Sequence, residues 1–228
     1  MKGVAVSMFL PFGERSVYRT SGMITSVNAM STQTRKYELK ARAESQRATR
    51  DRIARATAEL HEQKGVAQTT VAEIARRAGV TRLTVYNHFA DLSELLPACA
   101  AHYDRLHPMP DLGSTLTKAD PDERVRGALA LLYGWYRETE SMYGRLFSDR
   151  ASVPELDRFL EQNIDRMQAE LADDLAAAFG VRGRQAERIR ALIRLALDFW
   201  TWRRLSRAGL DDGPAADLMA AAIAAQGS

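Results

Sequence analysis

"VAEIARRAGVTRLTVYNHF" occupies residues 71–89 and contains two short amphipathic segments separated by the tripeptide AGV. Thr70 and Glu73 have the spacing of a capping box, which satisfies free N–H groups at the start of a helix. Gly79 suits a tight turn because glycine adopts left-handed backbone angles at little cost, and Thr81 suits the cap of the next helix. The stretch therefore predicts two helices joined by a sharp turn.

The second helix of this pair has an apolar side and a polar side. Val85 is expected to face the first helix, which leaves the opposite side free for the major groove of DNA. Arg82 and Thr84 lie near the start of the helix, where base edges are usually contacted. Tyr86 and His88 carry donors suited to phosphate oxygens.

An amphipathic helix is predicted on each side of this pair. The first runs from about Tyr37 with an apolar stripe that ends at Gly65, a natural helix stop, and His61 is placed on a charged face. The other starts at Asp91, whose spacing from Glu94 forms a second capping box. The first three of these four helices form a helix-turn-helix unit.

"TTVAEIARRAGVTRLTVYNHFADLSELL", residues 69–96, resembles the DNA-binding domain of the tetracycline-repressor (TetR) family, most recognisably in its T-V-Y-x-H-F segment. The resemblance implies an all-α protein with a helix-turn-helix domain at residues 37–92 and a helical effector-binding and dimerisation domain at residues 93–228. The predicted DNA-binding residues are Thr70, Thr81, Arg82, Thr84, Tyr86, Asn87, His88, Arg47 and Arg50.

Two positions depart from the family pattern. Leu83 stands where the family often has glycine, and Leu92 stands where it often has a lysine that contacts phosphate. Arg47, Arg50 or the basic segment before the first helix is expected to supply the missing phosphate contact.

The charge of the chain is concentrated near its start. Residues 1–55 contain eleven Lys or Arg against four Asp or Glu, a net charge of +7, whereas the whole chain carries +3. A basic front on a mildly acidic body favours a polyanionic partner, although a solvated basic tail without a partner gives the same pattern. Residues 1–36 are interpreted as a disordered or non-native extension rather than a secretory signal.

The composition of 46% hydrophobic and 27% charged residues is typical of a folded globular protein. Cys99 is the only cysteine, so no internal disulfide is possible, which suits the cytoplasm. No apolar run is long enough to span a membrane. Helical spacing continues to the end of the chain, giving about nine helices and no strand.

The last two helices resemble the paired helices that form the dimer interface in the family. Apolar and small side chains crowd one side of each, which permits close helix approach in a four-helix bundle. Packing inside a single subunit is the alternative. The predicted interface residues are Leu192, Leu195, Ala196, Trp200, Leu218, Met219, Ala222 and Ile223.

A ligand pocket is the second feature that the resemblance implies. An aromatic and methionine lining suits an apolar or aromatic effector, but the same residues at helical spacing are also typical of a plain core. Asp198 is either a polar pocket group or a solvated helix residue. The predicted lining residues are Tyr133, Tyr136, Met142, Phe147, Phe159, Met167, Phe199 and Trp202.

The sequence contains no phosphate-binding glycine loop, nucleophile elbow or zinc signature, so neither an enzyme nor a cofactor or metal is predicted. The favoured interpretation is a cytoplasmic homodimeric repressor, released from a near-palindromic operator on double-stranded DNA by a small-molecule effector. Two alternatives stay open: a dimeric regulator without an effector, and a helical enzyme or carrier whose helix-turn-helix is vestigial.

Overall fold

The computed structural model describes residues 29–226, and within that range the chain is helical without any strand. The all-α prediction is therefore confirmed. Most of the extension predicted at residues 1–36 lies outside the described residues. Its last part, residues 29–36, belongs to the first helix, because no glycine or proline interrupts the chain between Ala29 and Lys64.

Four helices build the N-terminal domain. They are α1 (Ala29–Lys64), α2 (Val71–Ala78), α3 (Arg82–His88) and α4 (Leu92–Leu106). Their facing sides bury a small apolar core that consists of Ile53, Ala56, Leu60, Ile74, Ala75, Ala78, Val85, Phe89 and Leu95. This core fixes the position of α3 against α1 and α2.

Six more helices form the C-terminal domain, so the described chain has ten helices rather than about nine. They are α5 (Pro121–Asp149), α6 (Pro154–Leu160), α7 (Arg166–Ala177), α8 (Gly183–Leu197), α9 (Phe199–Arg207) and α10 (Asp212–Ala224). A π-helical segment, Glu161–Asp165, joins α6 to α7. None of the described helices is long and apolar enough to cross a bilayer.

The break between α8 and α9 is the main departure from the predicted helices. Asp198 has an extended backbone, and its carboxylate accepts a 2.8 Å hydrogen bond from the Thr201 N–H, so this residue is the N-cap of α9. The main-chain carbonyls of Ala196 and Leu197 accept 2.8 Å hydrogen bonds from the hydroxyls of Tyr133 and Tyr136. Asp198 is therefore neither a pocket group nor a solvated mid-helix residue.

The two domains are joined by hydrogen bonds between the end of α1 and α5. The Glu62 main-chain carbonyl accepts a 2.8 Å bond from Arg145 Nε, and its carboxylate accepts a 3.0 Å bond from the Ser141 hydroxyl. The Ala67 N–H donates a 3.0 Å bond to Asp149. These contacts fix the position of α1 on the C-terminal domain.

Candidate nucleic-acid interface and interior cavity

The corner between α2 and α3 is held by local hydrogen bonds. The Thr70 hydroxyl caps α2 and accepts from the Glu73 N–H, while the Glu73 carboxylate accepts from the Thr70 N–H at 3.1 Å. Lys64 also donates to this carboxylate at 2.6 Å, and the bonds from Lys64 and Thr70 lower the pKa of Glu73 to about 2. Gly79 adopts a left-handed φ of +66°, as the predicted turn requires.

The exposed side of α3 is formed by its first two residues and by the residues one turn further on. Arg82, Leu83, Tyr86 and Asn87 are exposed, with 68% of Leu83 accessible to solvent. Val85 lies buried on the opposite side. Three of these four residues were predicted to contact DNA, and Leu83 was missed although its i+3 and i+4 spacing to Tyr86 and Asn87 places it on the same face.

The remaining predicted residues on and around α3 are turned away from this face or already bonded. Thr84 is half-buried, and its hydroxyl lies 2.8 Å from the hydroxyl of Thr81, which caps α3. His88 is also half-buried. Thr70 is exposed, but its hydroxyl donates to Glu73 at 2.7 Å.

The two arginines predicted on α1 have different surroundings. The Arg50 guanidinium lies 4.0 Å from the centre of the Phe89 ring and donates a hydrogen bond to the main-chain carbonyl of His88. It therefore braces the end of α3 against α1. Arg47 is exposed. Leu92, at the position where a phosphate-binding lysine was expected, is half-buried and packs against a second, larger apolar core, which is formed mainly by residues of α4 to α10.

An interior cavity of about 30 Å³ lies where α1 and α4 meet α5 and α6. Only Met142 and Phe159 of the eight predicted pocket residues line it. Tyr133, Tyr136, Phe199 and Trp202 are buried elsewhere in the larger core, whereas Phe147 and Met167 are half-buried outside the cavity wall. The main lining that sequence reasoning missed is His61, Leu96, Cys99, Tyr103, Asp104, Tyr143 and Leu160.

Burial shifts the pKa values of the titratable groups that line this cavity. His61 is buried rather than on a charged face, and burial lowers its pKa to about 4 while Asp149 raises it slightly. Its Nδ1 lies 3.6 Å from the Cys99 sulfur, and burial raises the pKa of that thiol to about 12. Burial also raises the pKa of Asp104 to about 6. Within the described residues the Asp104 carboxylate has no hydrogen-bond or ion-pair partner.

The sequence model for bacterial regulatory proteins of the tetR family matches residues 53–99, from the middle of α1 into α4. The N-terminal domain belongs to the TetR family. Two curated relatives from Pseudomonas putida, the HTH-type transcriptional regulator SrpR and an uncharacterised HTH-type transcriptional regulator, TtgW, are each 46% identical over 70 residues. Each match covers 28% of this chain, 32% of SrpR and 51% of TtgW.

Solved structures resemble the TetR-family domain together with the C-terminal helices. NalD, the secondary repressor of the MexAB-OprM multidrug efflux pump in Pseudomonas aeruginosa, has a TM-score of 0.54 at 24% identity and covers 80% of this chain and 96% of NalD. A TetR regulator from Haloarcula marismortui has a TM-score of 0.51 at 18% identity, with 78% of this chain and 96% of that chain covered. At these identities the likeness shows the fold alone.

The residues predicted at a dimer interface lie partly on the surface of the subunit. Leu195, Leu218 and Ala222 are exposed on α8 and α10, and Leu192, Trp200 and Met219 are half-buried. Ala196 and Ile223 are completely buried in the core of the subunit. The interface prediction is therefore corrected for these two residues. They are core residues, because the inward sides of α8 and α10 pack within the C-terminal domain.

Proposed function

We propose that the protein is a transcriptional regulator that binds DNA by inserting α3 into the major groove. The observation that carries this proposal is the exposed face of α3, which consists of Arg82, Leu83, Tyr86 and Asn87. The opposite side of the helix is held in the core by the buried Val85. The membership of the N-terminal domain in the TetR family supports the same function. The protein acts in the cytoplasm as a repressor and not as an enzyme.

We further propose that the regulator is a homodimer on a near-palindromic operator. Leu218 and Ala222 on α10 form an exposed apolar strip with Ala225, the residue that follows the helix, and Leu195 is exposed on α8. Small residues permit close helix approach, and a two-fold interface presents two α3 helices to successive major grooves, about 34–36 Å apart. The palindrome follows from that symmetry.

We also propose that an effector that releases the operator binds at the cavity between α4 and the C-terminal domain. Its wall is apolar and aromatic with one unpaired carboxylate, Asp104, so a slim apolar molecule with a protonated amine fits its chemistry. A volume of about 30 Å³ holds only one or two water molecules. Entry of an effector therefore requires the wall to move, and the π-helical segment beside Leu160 and Ile164 is the irregular part of that wall.

DNA selection tests the regulator proposal. The full chain is incubated with random duplexes, and the recovered sequences are expected to share an inverted repeat. Arg82→Ala and Tyr86→Ala should weaken binding to that operator, by about 1–3 kcal/mol for a base contact. If neither variant changes affinity, α3 is not the reading helix. Binding without sequence preference would favour the vestigial helix-turn-helix.

A matched pair of probes tests the effector. 4-Phenylbutylamine should bind and lower operator affinity more than 4-phenylbutan-1-ol, and Asp104→Asn should remove the difference because the carboxylate no longer pairs with the ammonium group. Equal effects of both probes on the unmodified protein would contradict the assigned chemistry. No effect of either on stability or DNA binding would favour a regulator without an effector, which the small volume of the cavity also favours.

A further inference from the structure

Leu83 is the most exposed leucine of the described chain, although it occupies the second position of a helix whose other side is packed. Single exposed leucines are common on protein surfaces and need no explanation by themselves. The position of this one matters, because Arg82 precedes it and Tyr86 and Asn87 lie one turn away on the same exposed face. An apolar side chain thus occupies the centre of the proposed DNA-reading surface.

The major groove offers one apolar group on its base edges, the C5-methyl of thymine. We infer that Leu83 recognises thymine by packing on this methyl group, so that each operator half-site carries a thymine at a fixed step from the base pair contacted by Arg82. This inference rests on the proposed function of α3. A cytosine or adenine amino group at the same place would face the leucine without an acceptor, and an unsatisfied donor is costly.

Neighbouring side chains are less suited to this contact. Thr84 has a methyl group, but the residue is half-buried and its hydroxyl is engaged with Thr81. Tyr86 is 55% exposed and lies one turn further from the start of the helix, so its ring is the main competitor for the methyl group. Arg82 reads acceptors such as guanine O6 and N7 rather than methyl groups.

Substitution of deoxyuridine for thymidine tests the inference, since it removes only the C5-methyl group. Operators recovered by selection are remade with one symmetric pair of deoxyuridines at a time, and affinity is measured by fluorescence anisotropy at fixed salt. We expect deoxyuridine at one position to lower the affinity of the unmodified protein for the operator by about fourfold for each methyl group removed. 5-Methylcytosine placed at that position should bind better than cytosine.

Two variants assign the effect to a side chain. Leu83→Ala should bind the thymine and deoxyuridine operators equally, and its exposed position makes loss of folding unexpected. Arg82→Ala should weaken binding to both operators and keep their ratio. Equal binding of all deoxyuridine operators by the unmodified protein, or a ratio retained by Leu83→Ala, overturns the inference alone. Failure to recover any operator overturns both the inference and the proposed function.

Discussion

The main-chain N–H of Ala67 donates a 3.0 Å hydrogen bond to the carboxylate of Asp149, the last residue of α5. Between α1 and Ala67 the chain turns at Gly65, whose φ is +88°. A Cβ on Gly65 would lie 2.3 Å from the same carboxylate. This hydrogen bond between the loop after α1 and the end of α5 therefore depends on a residue without a side chain at position 65.

Gly65→Ala is expected to destabilise the protein more than Gly180→Ala. Both substitutions place alanine at a left-handed φ, which costs about 1–2 kcal/mol. Only Gly65→Ala also displaces the Asp149 carboxylate and its hydrogen bond to Ala67, since nothing lies within 4 Å of a Cβ on Gly180. An additional loss of about 1 kcal/mol is expected. Urea unfolding of both variants measures the difference, and equal losses would contradict this account of Asp149.

His61 should make the protein less stable as the pH falls. The unfolded residue binds a proton near pH 6.5, whereas burial lowers the pKa in the folded state to about 4. Its contribution is complete above pH 6.5 and declines towards pH 4, by about 1.4 kcal/mol per pH unit at most. Urea unfolding between pH 7 and pH 4.5 should therefore show a flatter profile for His61→Leu than for the unmodified protein.

Asp104 acts in the opposite direction over part of this range. Its folded-state pKa is raised from 3.8 to about 6, so the folded protein binds the extra proton between these values and gains stability as the pH falls. Asp104→Asn removes this gain and should steepen the acid-side decline that His61 causes. A profile unchanged by both substitutions would show that neither group titrates as its burial implies.

Arg50 and Arg47 form a matched pair for separating structural support from phosphate contact. Arg50→Ala should destabilise the folded protein by about 1–2 kcal/mol because the contact with the Phe89 ring and the bond to His88 are lost. Arg47→Ala should leave stability unchanged and reduce the slope of log affinity against log salt by about one per phosphate contact. Urea unfolding and salt-dependent operator binding measure the two effects. Loss of stability in Arg47→Ala would contradict the distinction.

Local signals in the sequence were sufficient to predict the helix-turn-helix corner. The caps at Thr70, Thr81 and Asp91 and the turn at Gly79 depend on residues a few positions apart, and the structure contains all four. Leu83 was not among the predicted DNA contacts, although its spacing to Tyr86 and Asn87 places all three side chains on one side of α3. Helical spacing alone is therefore sufficient to predict which residues form the exposed face of α3.

The interior of the C-terminal domain could not be predicted in the same way. Periodicity indicates which side of a helix is apolar, but it does not show which neighbour covers that side. His61 looks like a surface residue within α1, and only the packing of α4 and α5 on α1 buries it. The sequence is equally compatible with Tyr133 and Tyr136 as pocket residues or as core residues. The structure shows them in the core, because the helix break before Asp198 leaves main-chain carbonyls that accept hydrogen bonds from their hydroxyls.

The exposed strip on α10 is the proposed dimer interface. Leu218→Arg should convert the protein to a monomer, because a charge in an apolar helix interface is desolvated without a partner. Leu218 is 50% exposed in the subunit, so the variant should fold. Sedimentation equilibrium measures the mass, and operator affinity should fall with it since a monomer contacts one half-site.

Leu106→Arg, at a 63% exposed leucine outside α8 and α10, is the matched control and should stay dimeric. A dimeric Leu218→Arg variant would place the interface on another surface.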